Sequence, residues 1–163
     1  MCLKRFLLSG LCAVGLLLTA TAQTAEVETV PPKFGTTHPE MLAAIEQARA
    51  TLDDFLELVR HPEPGTSTFK LKIIVRDGTA METFWVKPFW ILEEGFEGTI
   101  ANTPEVVRNV SLGQTVTFSR DDVVDWGYVR NGRQVGSVTV CVLFKYMRPV
   151  DADYFRRYNG FDC

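Results

Sequence analysis

The chain has 163 residues, with 17 Lys and Arg against 20 Asp and Glu, and 46% of its residues are hydrophobic. Those proportions are ordinary for a globular protein and exclude a disordered tail, a coiled coil, a collagen-like chain and a multi-span membrane protein. A mildly acidic chain is also poorly suited to sequence-independent nucleic-acid binding, which needs clustered Lys and Arg.

The N-terminus reads as a secretory signal. Lys4 and Arg5 precede an apolar run from Phe6 to Leu18, and Ala20-Thr21-Ala22 is a small-x-small cleavage site. The run is shorter than the roughly 20 residues a spanning helix needs. A lipid anchor on Cys12 is disfavoured, because bulky Leu11 precedes it and the Cys lies inside the apolar run. Release of residues 1–22 leaves 141 residues with a net charge of −5, one domain by length. The expected location is periplasmic or secreted.

Residues 23–38 form a Pro- and Thr-rich arm without periodicity. A helix is predicted from Pro39, with Thr37 or His38 as cap, and His61-Pro62 and Pro64-Gly65 end it. Leu42, Ile45, Ala48, Leu52, Phe55, Leu56 and Val59 make one apolar stripe along it. The period then changes to two. Phe69, Leu71, Ile73 and Val75 alternate with Lys70, Lys72, Ile74 and Arg76, and Asp77-Gly78 is a hairpin turn. The return strand, Met81 to Leu92, is aromatic, and Pro88 within it marks an edge, a bulge or a corner. A short strand from Phe96 to Ala101 follows. Val106, Val107 and Val110 have the spacing of a short helical turn, and Thr115 to Phe118 is another strand. Val123 to Arg130 and Gln134 to Tyr146 flank Asn131-Gly132, the strongest hairpin signal in the chain. Residues 149–163 form a C-terminal tail with one helical turn over Asp151 to Arg157.

The expected fold is α+β: one long N-terminal helix packed on a curled, mainly antiparallel meander sheet of about six strands, with enough curl for a half-open barrel. Residues 39–148 make the single domain. Cys141 and Cys163 are the cysteines that remain after cleavage, and an even count in an exported chain favours a disulfide tying the tail to the domain. The alternative is a buried core thiol and a free terminal one.

Phe84-Trp85-Val86, then Gly98-Thr99-Ile100-Ala101-Asn102-Thr103-Pro104, Gly113-Gln114-Thr115-Val116, Asp125-Trp126-Gly127-Tyr128 and Asn131-Gly132-Arg133-Gln134-Val135-Gly136 form an ordered set. With Ala48-Arg49, Phe55 and Phe69-Lys70-Leu71-Lys72, this set resembles the YegJ-like family, domain of unknown function 2314. Gln114 stands where that family usually has Asp, and Gly127 where a larger apolar residue is common. The resemblance implies a small bacterial domain, sometimes exported and sometimes joined to other modules. It implies no established activity and no catalytic residues.

The residues themselves offer few chemistries. His38 and His61 each precede Pro and have no partner at metal-ligand spacing, so no metal and no cofactor is expected. Serine-nucleophile and phosphate-loop motifs are absent. Among the carboxylates, Glu82 and Asp125 stand out because each lies near a Trp in an apolar strand. They are either a pair for acid–base hydrolysis or structural hydrogen-bond acceptors. Trp85, Phe89 and Trp90 cannot all face one side of their strand. Either the sheet has a two-sided core, or one side carries an aromatic surface built from Trp85, Trp126 and Tyr128 and rimmed by Arg120, Arg130 and Arg133. The sequence therefore favours a non-catalytic exported binding or interaction domain, with an envelope protein, a toxin-like protein or cell-wall glycan as partner. The alternatives are a hydrolase using Glu82 and Asp125, and a purely structural accessory domain.

Overall fold

The computed structural model describes residues 38–163; the predicted signal and nearly all of the arm lie outside the described residues. Two helices, α1 (Pro39–Ala50) and α2 (Leu52–Arg60), precede β1 (Thr66–Asp77), β2 (Ala80–Ile91), β3 (Phe96–Ile100) and β4 (Thr115–Phe118). A 3-10 turn, Arg120–Asp122, leads to β5 (Val123–Arg130), β6 (Arg133–Gly136), α3 (Val138–Phe144) and α4 (Pro149–Asn159). The strands form one sheet in the order β4-β3-β2-β1-β5-β6, and every pair is antiparallel. Among the described residues no helix is long and apolar enough to cross a membrane.

The sheet is open, because β4 and β6 lie at its two edges, but it is curled. A flat sheet would separate β4 from β5 by about 19 Å at the usual strand spacing. Only residues 119–122 join them, three in a 3-10 turn, and such a link spans about 13 Å. The concave face encloses the main core of Leu71, Ile73, Phe84, Val86, Phe96, Ile100, Val107, Val123 and Tyr128. The Pro88 feature is a bulge: the β2–β3 register shifts between Val86 and Phe89.

The expected single helix is two. Thr51 leaves helical geometry at φ −108° and ψ 7°. Its hydroxyl donates back to the carbonyls of Gln47 and Ala48 at 3.0 and 3.3 Å, and the Trp126 indole donates to the Ala48 carbonyl at 2.9 Å. A donor inserted into the helical ladder bends the helix at that point. The two halves face opposite sides of the sheet. Leu52, Phe55 and Leu56 of α2 join the concave core. Met41, Ala44 and Ile45 of α1 join Ile74, Val124 and Val142 in a second core on the outer face. Arg49, just before the bend, donates to the carbonyls of Val123 and Asp121 at 2.9 and 2.7 Å, satisfying groups that β6 does not reach.

Two further expectations are corrected. Residues 106–110 are not helical: the Glu82 carboxylate accepts the N–H groups of Glu105, Val106 and Val107, and Asp77 accepts that of Arg108 at 2.8 Å. The loop so held places Val107 in the concave core. The second is the strand expected over Gln134 to Tyr146, which ends at Gly136. Gly136 and Ser137, at φ 73° and 55°, turn the chain out of the sheet, and the alternating valines continue as α3. Burial of Val142 against α1 and β1 overrides the strand preference of a β-branched run.

The C-terminal segment is mostly helix, with Phe155 and Phe161 packed against Phe144. Cys141 and Cys163 are bonded, so the tail is tied to α3, not to a strand. The bridge closes a loop across a sequence separation of 22 residues. Cys163→Ser is expected to lower unfolding free energy by about 3 kcal/mol on the chain-entropy model, read by urea denaturation. A loss below about 1 kcal/mol would show that the aromatic packing alone holds the tail.

Candidate functional site

Alternation along each strand assigns side chains to faces. Phe84 and Val86 enter the concave core, so Thr83 and Trp85 project outward. Phe89 and Ile91 pack against that core, so Trp90 projects outward with Glu97, its partner on β3. Thr99 and Glu97 pair with Thr115 and Thr117 of β4, which extends the same outer face. On β1, Lys70 and Lys72 flank the buried Leu71 and also point outward. Helices α1 and α3 pack over β1 and β5, at Ile74 and Val124. The part of the outer face formed by β2, β3 and β4 is left partly to fully exposed, and Trp90 there is 52% exposed.

Where this open half meets α3, polar groups converge. Lys70 Nζ lies 4.5 Å and Lys72 Nζ 5.5 Å from the Trp85 ring centre. Lys70 donates to Gln134 Oε1 at 3.1 Å, and Lys72 donates to Thr139 Oγ1 at 3.0 Å. The Thr139 hydroxyl in turn donates to Asp125 at 2.6 Å. Asp125 has no accessible surface. It also accepts the backbone N–H groups of Thr139 and Trp126, at 2.9 and 2.8 Å. Burial raises the Asp125 pKa, against the lowering effect of these donors and of Lys72. Burial lowers that of Lys72, against the pull of Asp125. Lys70 is also lowered, first by burial and then by Lys87 and Lys72, with Asp125 opposing.

The other candidates fall elsewhere. Glu82 is opposite Val75 on the concave side and is engaged by the 105–107 loop, whereas Asp125 is opposite Lys72 on the outer side. They do not converge as a hydrolytic pair. Inside the concave core Trp126 stacks on Phe55 and Tyr128 lies tilted against it, at 4.9 and 6.3 Å between ring centres. They therefore form no common surface with Trp85. The rim arginines are engaged: Arg120 with Asp53 at 2.8 Å, Arg130 with Glu63 at 2.7 Å, and Arg133 with Asp162. His38 occupies the N-cap position of α1, and His61 follows α2 and pairs with Glu57 at 3.4 Å. Among the described residues no three His, Cys, Asp or Glu side chains are grouped to hold a metal.

Sequence reasoning singled out neither Lys70, Lys72 and Lys87 nor Ser137. Two lysines at alternate positions of a strand read as its solvated face. The signal available was the pairing of that strand with an aromatic one.

A family model described as an uncharacterized protein conserved in bacteria, DUF2314, matches residues 38–163. The chain is 30% identical over 146 residues to "Uncharacterized protein YegJ" of Escherichia coli (strain K12), covering 90% of this chain and 94% of that protein. No solved structure matches.

Proposed function

We propose that this chain, which belongs to the bacterial DUF2314 family, is a non-catalytic exported domain that holds an envelope glycan on the outer face of β2, β3 and β4. The observation that carries this is the half of the sheet that, among the described residues, α1 and α3 leave uncovered. It presents Trp90 and Trp85 beside the hydroxyls of Thr83, Thr99, Thr115 and Thr117. Indole rings cover the apolar faces of sugar rings and hydroxyls meet their polar edges, so the surface suits a carbohydrate chain better than an apolar protein patch. The Cys141–Cys163 bridge supports export, since disulfides persist in oxidising compartments. Glu82 and Asp125 both serve as buried or loop-holding acceptors, which supports a binding role over hydrolysis.

The test is co-sedimentation of the processed chain, residues 23–163, with protease-treated cell-wall glycan. The parent chain is expected in the pellet. Trp90→Ala is expected to bind at least tenfold more weakly with an unchanged melting temperature, because that side chain is exposed. Equal pelleting of the two proteins, or none of either, rejects the reading. Pelleting with untreated cell wall but not with the protease-treated glycan assigns the surface to a protein partner instead.

A further inference from the structure

We propose that Lys70, beside the hydroxyl of Ser137, and the neighbouring Lys87 bind a phosphate group carried by a carbohydrate. The proposal rests on the glycan reading above and names the chemistry that anchors the sugar chain at the edge of the open face.

The charged groups that act on Lys70 are Lys87 of β2, Lys72 on its own strand and Asp125 of β5. Asp125 is the one negative group that acts on Lys70, against two neighbouring lysines, and its oxygens are already taken by Thr139 and Trp126. This local positive excess lies in a chain whose net charge is negative. Like charges held together repel, and an oxyanion between them relieves the repulsion.

Ser137 has no accessible surface, and among the described residues its Oγ has no hydrogen-bond partner. Buried hydroxyls are normally paired, so this one needs an explanation. It lies beside Lys70. A Cβ built on Gly127 would be 2.4 Å from Ser137 Oγ and 2.9 Å from Lys70 Cε, so the two side chains converge over a glycine that leaves them room. When the flexible Lys70 arm lifts from Gly127, the Ser137 hydroxyl can donate to the same anion that Lys70 follows.

The cations that act on Lys70 are lysines, Lys87 and Lys72. Planar carboxylates are typically read by the two-pronged Arg fork, while Lys serves as a point charge for phosphate. Trp85 and Gln134 are the contacts that the Lys70 head makes before it lifts. The sugar that carries the phosphate then lies toward Trp90 and the threonines.

The experiment is an NMR titration of the processed chain with glucose 1-phosphate, glucuronate, glucose and inorganic phosphate, following the Lys Cε signals and the Ser137 amide. Glucose 1-phosphate is expected to shift Lys70, Lys87 and Ser137 and to bind at least tenfold more tightly than the other three. Lys70→Gln is expected to weaken it at least tenfold, and Lys87→Gln, on an exposed side chain, severalfold without disturbing the fold. Glucuronate binding as tightly as glucose 1-phosphate overturns the choice of phosphate. Inorganic phosphate binding as tightly as the sugar phosphate overturns the carbohydrate part. Unmoved lysine signals overturn the site, and the glycan reading still stands if co-sedimentation persists. Loss of both rejects both.

Discussion

Asp125→Ala is expected to lose about 3–5 kcal/mol of unfolding free energy, the cost of removing one partner from a buried charged network. The carboxylate is fully buried and accepts three donors, two from Thr139 at the start of α3 and one from the Trp126 backbone. Without it both N–H groups lose their acceptor, and the ammonium of Lys72, held through Thr139, loses its counter-charge. Asp125→Asn keeps one acceptor oxygen and is expected to cost less, about 1–3 kcal/mol. Urea unfolding with an unchanged slope measures both. A loss below about 1 kcal/mol for Asp125→Ala would show that Thr139 holds α3 without the carboxylate.

The pH dependence carries the same assignment. Burial raises the folded pKa of Asp125 above its ordinary 3.8. Between those values the folded chain binds the extra proton, so this group's contribution falls as pH rises through that window. Lys72 is lowered below its ordinary 10.5 by burial. Between its two values the unfolded chain binds the extra proton, so stability climbs with pH there. Asp125→Asn is expected to remove this group's share of the acidic dependence, so that stability rises more steeply with pH there through the lowered Asp122, Glu40 and Asp151, and to leave the alkaline climb.

Much of the β architecture was legible because it rests on local chemistry. Asp77-Gly78 and Asn131-Gly132 can turn a two-residue corner wherever they stand, and strict alternation about Leu71 and Ile73 needs only one buried face. The helical bend was not legible, since it depends on an indole distant in sequence: Trp126 donates to Ala48 across 78 positions. From Ile45 to Leu56 the predicted apolar stripe is buried, but it serves two cores on opposite faces, and spacing alone does not say which face a residue meets. Helix α3 was hidden for the opposite reason. Val138, Val140, Val142 and Phe144 suit a strand by type and by alternation, and the left-handed Ser137 before them carries no signature that serine alone would announce.

The site was legible only in part. That Trp85, Phe89 and Trp90 must divide between two faces followed from the strand period, and they do: Phe89 packs inward, while Trp85 and Trp90 face outward. The grouping of Trp85 with Trp126 failed because these residues lie one register position apart across β1, Trp85 opposite Lys72 and Trp126 opposite Leu71. A shift of one position reverses the face.

Phe55→Ala is expected to cost about 3–5 kcal/mol, the usual loss for truncating a buried aromatic ring. Phe55 is 2% exposed and touches aromatic rings from three strands: Phe69 of β1, Phe89 of β2, and Trp126 and Tyr128 of β5, with ring centres 4.9–6.3 Å away. It therefore ties α2 to the three adjacent strands β2, β1 and β5. The rings around it are fixed by backbone pairing and cannot collapse into the space it leaves, so the cavity term is added to the lost burial. Leu42 of α1 belongs to the same predicted stripe but is 46% exposed, and Leu42→Ala is expected to change stability by about 0.5 kcal/mol or less. Denaturant midpoints for the pair measure how the stripe divides. Glycan co-sedimentation gives the complementary result. Phe55→Ala, kept below its lowered melting temperature, is expected to bind like the parent, while Trp90→Ala keeps its stability and loses binding. Equal loss of binding in both variants would place the ligand on the concave side instead.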